Sequence, residues 1–284
     1  MEALMKRLLP LLLILLLTAC ASEADGPLAD KGVELTVFAA ASLQETLTEI
    51  GENYKKDHPN VTLFFNFDSS GTLKAQIEAG AECDLFISAG QKQMNELDAA
   101  FAPAVNMDAP KESGEESLDF VLPDTRVNLL ENKVALAVPE GNPADIYSFD
   151  ELKDALETGS ILLAIGNEDV PVGQYTQKIF SYYGLDESVL NAAGVLTYGS
   201  NVKEVTTQVD QGTVDCGIIY STDAFSAGLE VVDTATADMC GQVIYPAAAL
   251  KNSAHLEEAQ AFLDYLRTPE AGAVLESVGF TPLG

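Results

Sequence analysis

From Val33 onward, short apolar runs alternate with stretches whose apolar residues recur at helical spacing, the pattern of a mostly parallel sheet covered on both faces. The fold class read from this rhythm is α/β. Strands are expected at residues 33–38, 61–67, 84–88, 133–138, 161–165, 195–198, 214–220 and 243–250. Helix starts are marked by caps: Ser42 with Glu45 and Ser148 with Glu151 have capping-box spacing, as do Asn201 and Glu204 with Asn in place of Ser. Thr268 before Pro269 reads as an N-cap followed by proline at the first helical position. One segment breaks the rhythm. Residues 103–126 are rich in Asp, Glu, Pro and Ser without a period and read as an exposed acidic loop that crosses between two lobes. A second crossing is expected near 241–246, which gives a first lobe at 33–125 plus 246–284 and a second at 126–245.

The N-terminus changes the picture from a fold to a location. Lys6 and Arg7 precede an apolar run at 8–17 and then Thr18-Ala19-Cys20, a secretory signal too short to cross a bilayer comfortably. Leu17-Thr18-Ala19-Cys20 resembles a lipobox, so residues 1–19 are read as a signal peptide and Cys20 as the lipidated first residue of the mature chain. Residues 20–32 are small and polar, a flexible tether reaching roughly 20 Å. The expected location is the extracytoplasmic face of the cell membrane, held there by the lipid.

The formal charge is -29. Loss of Glu2, Lys6 and Arg7 with the signal takes the mature chain to -30, which argues against nucleic acid as a partner. Three cysteines remain, Cys83, Cys216 and Cys240; a bridge between Cys216 and Cys240 and three buried thiols are both open readings. Their spacing resembles no metal site, and no cofactor is expected.

Four strand-to-helix connections are small and bear hydroxyls or glycine: Ala39-Ala40-Ala41-Ser42-Leu43, Asp68-Ser69-Ser70-Gly71-Thr72, Asp169-Val170-Pro171-Val172-Gly173 and Gly199-Ser200-Asn201-Val202-Lys203. Each opens onto a helix, whose first N–H groups lack partners and whose macrodipole is positive at that end, a combination suited to anions. A fifth element, Gly217-Ile218-Ile219-Tyr220-Ser221, ends a buried strand on a phenol able to donate one more hydrogen bond. Taken singly, Ser42 or Ser70 reads as a cap and Tyr220 as a core aromatic; only the set points to a ligand.

The spelling and order of these loops are more specific. Val37-Phe38-Ala39-Ala40-Ala41-Ser42-Leu43, Ser69-Ser70-Gly71-Thr72-Leu73 and Asp84-Leu85-Phe86-Ile87-Ser88-Ala89 resemble the molybdate-binding protein family of ABC importers. The likeness continues through Val170-Pro171-Val172-Gly173-Gln174-Tyr175, Gly217-Ile218-Ile219-Tyr220-Ser221-Thr222-Asp223-Ala224, Tyr245-Pro246 and Gly279-Phe280. It implies a type II periplasmic-binding-protein fold, two α/β lobes joined by two crossings with the ligand cleft between them. It also implies a monomer that captures molybdate, or its near-isostere tungstate, and hands it to the membrane subunits of an ABC permease. The ligand contacts it implies are the hydroxyls of Ser42 and Ser70, main-chain N–H groups at Val172 and Val202, and the Tyr220 hydroxyl. Gly71 departs from the family, which often has another Ser or Thr there; Glu82-Cys83 replaces a more usual Pro-Ala.

Neutral donors suit such a ligand, since a fully deprotonated oxyanion accepts from all of them whereas a protonated phosphate needs an acceptor in the site. With each hydrogen bond to a charged acceptor contributing about 1.5–3 kcal/mol, five to seven of them support micromolar or better binding. Sulfate or another tetrahedral oxyanion is the alternative within the binding class. A hydrolase using Ser42 or Cys216 is the rival from outside it, disfavoured because neither His58 nor His255 follows a strand into the cleft and no Gly-x-Ser-x-Gly elbow occurs.

Overall fold

A computed structural model describes residues 32–101 and 119–283; the signal peptide, Cys20, the tether through residue 31 and the 102–118 part of the acidic segment lie outside the described residues. The first sheet starts with β1 (Val33–Ala40), a 3-10 turn at Ala41–Leu43, α1 (Gln44–Asp57), β2 (Val61–Asp68), α2 (Ser70–Glu78), β3 (Leu85–Ile87), α3 (Gln91–Leu97) and β4 (Val127–Asn132). The second holds β5 (Val134–Val138), α4 (Phe149–Thr158), β6 (Leu163–Gly166), α5 (Pro171–Tyr183), α6 (Glu187–Ala192), β7 (Leu196–Gly199), α7 (Val202–Asp210), β8 (Cys216–Tyr220), α8 (Ser221–Ala227), β9 (Glu230–Thr234) and α9 (Ala237–Cys240). The chain then returns with β10 (Val243–Ala249), α10 (Leu256–Tyr265), α11 (Pro269–Ser277) and β11 (Thr281–Pro282).

The strand order is β11-β4-β10-β3-β1-β2 in one sheet and β7-β6-β8-β5-β9 in the other. β1 runs parallel to β2 and β3, with Val37 opposite Leu85, and β6 runs parallel to β7 and β8, with Leu163 opposite Leu196 and Cys216. β10 and β5 enter antiparallel. Alternation along the strands sorts the first lobe's core. Leu35, Val37 and Ala39 of β1 join the large cluster, while Phe38 packs with Leu73, Ile77 and Phe86 on the opposite face, beneath α2 and α3. This is the two-lobed type II arrangement.

The change of sheet falls at Lys133, between β4 and β5, not at the 125/126 boundary read from the sequence. The return falls between Thr234 and Val243 rather than at 245/246. The physical reason is β4 itself, which lies against β10, with Asn132 opposite Val243. Residues 119–126, the described end of the acidic segment, lie against the first lobe: Val121 bridges Leu250, and Arg126 pairs with Asp98 at 2.9 Å. All three cysteines are buried free thiols, so of the two open readings the Cys216–Cys240 bridge is not made.

Caps form where the spacing predicts them, with one exception. Ser148 accepts from the Glu151 N–H, Asn201 from the Glu204 N–H and Thr268 from the Ala271 N–H. Ser42 does not cap: the 3-10 turn takes it inside the structure, α1 begins two residues later, and its Oγ turns inward.

Candidate functional site

The candidate loops all follow the carboxyl ends of strands, β1, β2, β6, β7 and β8, where α/β sheets bind ligands. The structure brings Ser42, Ser70, Val172, Val202 and Tyr220 to the lining of one small pocket between the lobes. Its volume of about 10 Å³ leaves room for little more than a water-sized group, so the lobes are drawn together over it.

Ser42, Ser70 and Tyr220 each bring a hydroxyl to that lining. Ser70 is fully buried, and its Oγ accepts from the Ala89 N–H at 2.9 Å, which occupies a lone pair and leaves the hydroxyl proton free. Ser70 is free to do this because the neighbouring Ser69, not Ser70, caps α2 by accepting from the Thr72 N–H at 3.1 Å. Ser42 Oγ lies 2.9 Å from the Tyr245 hydroxyl, and Asn132 Nδ2 donates to that same hydroxyl at 3.1 Å and to Thr222 Oγ1 at 2.9 Å. Tyr245 accepts from Asn132 and shares a hydrogen bond with Ser42 in which either hydroxyl can donate, so the Asn132–Tyr245–Ser42 chain fixes where the Ser42 Oγ sits at the pocket. Such a chain polarises each successive donor.

Tyr220 is 1% exposed, lines the pocket, and its hydroxyl has no hydrogen-bond partner. A buried phenol without a partner is costly unless a ligand completes it. Burial, with Tyr245, Tyr175 and Asp223 nearby, holds its pKa well above the usual phenol value, so it remains a proton donor.

The main-chain donors come from two helix starts. No side chain caps α5; Pro171 takes the first helical position, so the Val172 N–H is the first that helix can offer. Gly173 behind it permits tight packing, since a Cβ there would lie 2.2 Å from Asn167 O and 2.4 Å from Gly166 O. At α7, Asn201 caps through Oδ1 and Val202 opens the helix.

Two features alter the uncharged picture drawn from the sequence. Asp68 lines the pocket, with Oδ1 accepting from the Ser69 N–H at 2.7 Å and from Asn201 Nδ2 at 3.2 Å. Lys203 follows Val202, but its ammonium is taken by Glu45 at 2.8 Å and Asp223 at 3.1 Å. The sequence reading missed Tyr245, Asn132 and Ala89 as supports of the two serines. Tyr245-Pro246 was a visible motif, whereas nothing local marks Asn132 or Ala89.

The rival nucleophiles are poorly placed. Burial pushes the Cys216 thiol up to about 12, with Asp215 adding to the effect, and the Ser42 hydroxyl neighbours a tyrosine rather than a base. His58 stacks on Tyr54, with ring centroids 4.0 Å apart, and His255 precedes α10.

A family profile described as bacterial extracellular solute-binding protein matches residues 35–281. The molybdate-binding protein ModA of Escherichia coli (strain K12) is 33% identical over 263 residues, 91% of this chain and 92% of that protein. YvgL of Bacillus subtilis (strain 168), named provisionally as an ABC transporter substrate-binding lipoprotein, is 34% identical over 269 residues, 94% of each chain. Among solved structures, the periplasmic molybdate-binding protein of Azotobacter vinelandii has a TM-score of 0.71 at 20% identity, covering 88% of this chain and 100% of that one. At that identity the likeness is one of fold.

Proposed function

Because the chain belongs to the bacterial extracellular solute-binding protein family, we propose that it captures molybdate, and tungstate as a near-isostere, for an ABC permease. In this reading Ser42, Ser70 and Tyr220 donate their hydroxyl protons, Val172 and Val202 their main-chain N–H groups, and the lobes close over the anion about the two crossings. The closed form is what the permease's membrane subunits receive, and Cys20 carries the lipid that holds the monomer at the extracytoplasmic face. The observation that carries the reading is the buried Tyr220 hydroxyl, without a hydrogen-bond partner on a residue that lines the pocket. The name of the E. coli relative supports molybdate as the oxyanion.

Five donors at about 1.5–3 kcal/mol each are enough to offset the desolvation of a dianion and leave micromolar or tighter affinity. The surface charge opposes this little, because charges beyond roughly 8 Å are largely screened in physiological salt. Calorimetric titration is expected to show one-to-one molybdate binding with sulfate much weaker; equal affinities, or no heat with either, would sink the claim.

Asp68 favours a second reading, a protonated oxyanion such as hydrogen phosphate, whose proton a carboxylate in the pocket can accept. Asp68→Asn separates the two. Molybdate binding is expected to hold or strengthen as a negative charge leaves the pocket, whereas hydrogen phosphate binding would collapse.

A further inference from the structure

Lys203 occupies a position that oxyanion contacts alone do not explain. It follows Val202 at the start of α7; its Nζ reaches both carboxylate oxygens of Glu45, at 2.9 and 2.8 Å, and Oδ1 of Asp223 at 3.1 Å. Glu45 stands on α1, three residues after Ser42, in the first lobe. Asp223 stands on α8, three residues after Tyr220, in the second. One ammonium thus ties together α7, which carries Val202, and two helices that directly follow Ser42 and Tyr220 in the chain.

The two arms differ in kind. Asp223 is 1% exposed and belongs to the same lobe as Lys203, so this pair does not depend on closure. Its burial makes it hard to break, because either partner left alone would be a desolvated charge. The Glu45 arm spans the cleft and exists only when the lobes meet. Its carboxylate is half exposed, so parting it returns both groups to water at small cost. Burial opposes the lysine's charge, but Asp223 and Glu45 outweigh it and hold the ammonium above its ordinary value. Its hydrogen bonds go to Glu45 and its charge also faces Asp223, which turns the ammonium toward carboxylates.

We propose that Lys203 is a positioning residue for closure, held ready by the buried Asp223 and engaging Glu45 when the lobes meet, so that the Glu45–Lys203 bridge slows release of the bound oxyanion. Its neighbour Asn201 makes a second contact across the same seam, to Asp68, so the start of α7 is the part of the second lobe that reads closure. The proposal rests on the oxyanion-binding reading.

Glu45→Gln is the informative variant, because it removes the cross-cleft arm and leaves the Lys203–Asp223 pair intact. In the full chain, molybdate release followed by stopped-flow tyrosine fluorescence, the sequence having no tryptophan, is expected to quicken about two- to fivefold. The association rate and the melting temperature without ligand are expected to stay unchanged. Wild-type release should quicken with added sodium chloride, and the variant should lose most of that dependence, a readout that a purely structural role would not move. Lys203→Arg should release as slowly as wild type. Wild-type release and salt dependence in Glu45→Gln overturn the latch alone; a wild-type chain that binds neither molybdate nor sulfate overturns the oxyanion reading and the latch with it.

Discussion

Individual residues in this pocket work through their second hydrogen bond. Ser70 accepts from the Ala89 N–H and so keeps its hydroxyl proton available, while Ser42 shares a hydrogen bond with the Tyr245 hydroxyl that fixes its place at the pocket. Tyr245→Phe removes the middle of the Asn132–Tyr245–Ser42 chain without touching the pocket lining. It is expected to weaken molybdate binding by about 1–2 kcal/mol and to destabilise the fold by a similar amount, since Asn132 loses an acceptor; calorimetry and thermal melts check both. Asp223 gives a second test at this scale. Burial, partly offset by Lys203, raises its carboxyl to about 6 from the ordinary 3.8. The folded chain then holds this proton more tightly than the unfolded one, so between roughly pH 4 and 6 stability falls as pH rises, and it levels off above that. Asp223→Asn should remove that slope. The stability difference between wild type and variant is expected to shift by on the order of 2–3 kcal/mol between pH 4 and pH 7, in the variant's favour at the higher pH; pH-dependent melts measure it.

At the scale of elements, four helix starts and one strand end converge because all of them leave the carboxyl ends of strands in two sheets that face each other. A glycine marks one place where they converge most closely. Gly71, in the first turn of α2, approaches the loop after β6 so closely that a Cβ would lie 2.2 Å from Asp169 O and 3.0 Å from its carbonyl carbon, both backbone atoms of the other lobe. The departure from Ser or Thr at this position therefore does more than subtract a hydroxyl: it lets the second lobe come nearer. Gly71→Ser is expected to hold the cleft ajar, weakening molybdate binding by about 1–3 kcal/mol while leaving the ligand-free melting temperature unchanged. Small-angle scattering with saturating molybdate should show a larger radius of gyration than wild type. Equal radii and equal affinity would mean that the loop simply yields.

For the whole molecule, a net charge of -29 and the capture of an anion are compatible because the contact distances in the pocket are short beside the screening length of the surface charge. The periodic signal in the sequence was sufficient for the α/β class and for eight strands rich in apolar and β-branched residues, since that signal comes from local burial and local hydrogen bonding. The anion-ready loops were legible for the same reason: caps, proline at a first helical position and strand-end tyrosines are written within a few residues. β4 was not legible. Val127–Asn132 carries two Asn and a Glu, and becomes a strand only because β10, more than a hundred residues later, lies beside it. Its recovery moves the crossing from the 125/126 boundary to Lys133. The tertiary structure likewise decided which serine caps α2 and which accepts from the Ala89 N–H, that Asn132 and Tyr245 stand behind Ser42, and that Lys203 meets Glu45 across the cleft. These are pairings between residues far apart in the chain, fixed by how two lobes pack on each other, and no local pattern of polar and apolar positions encodes them.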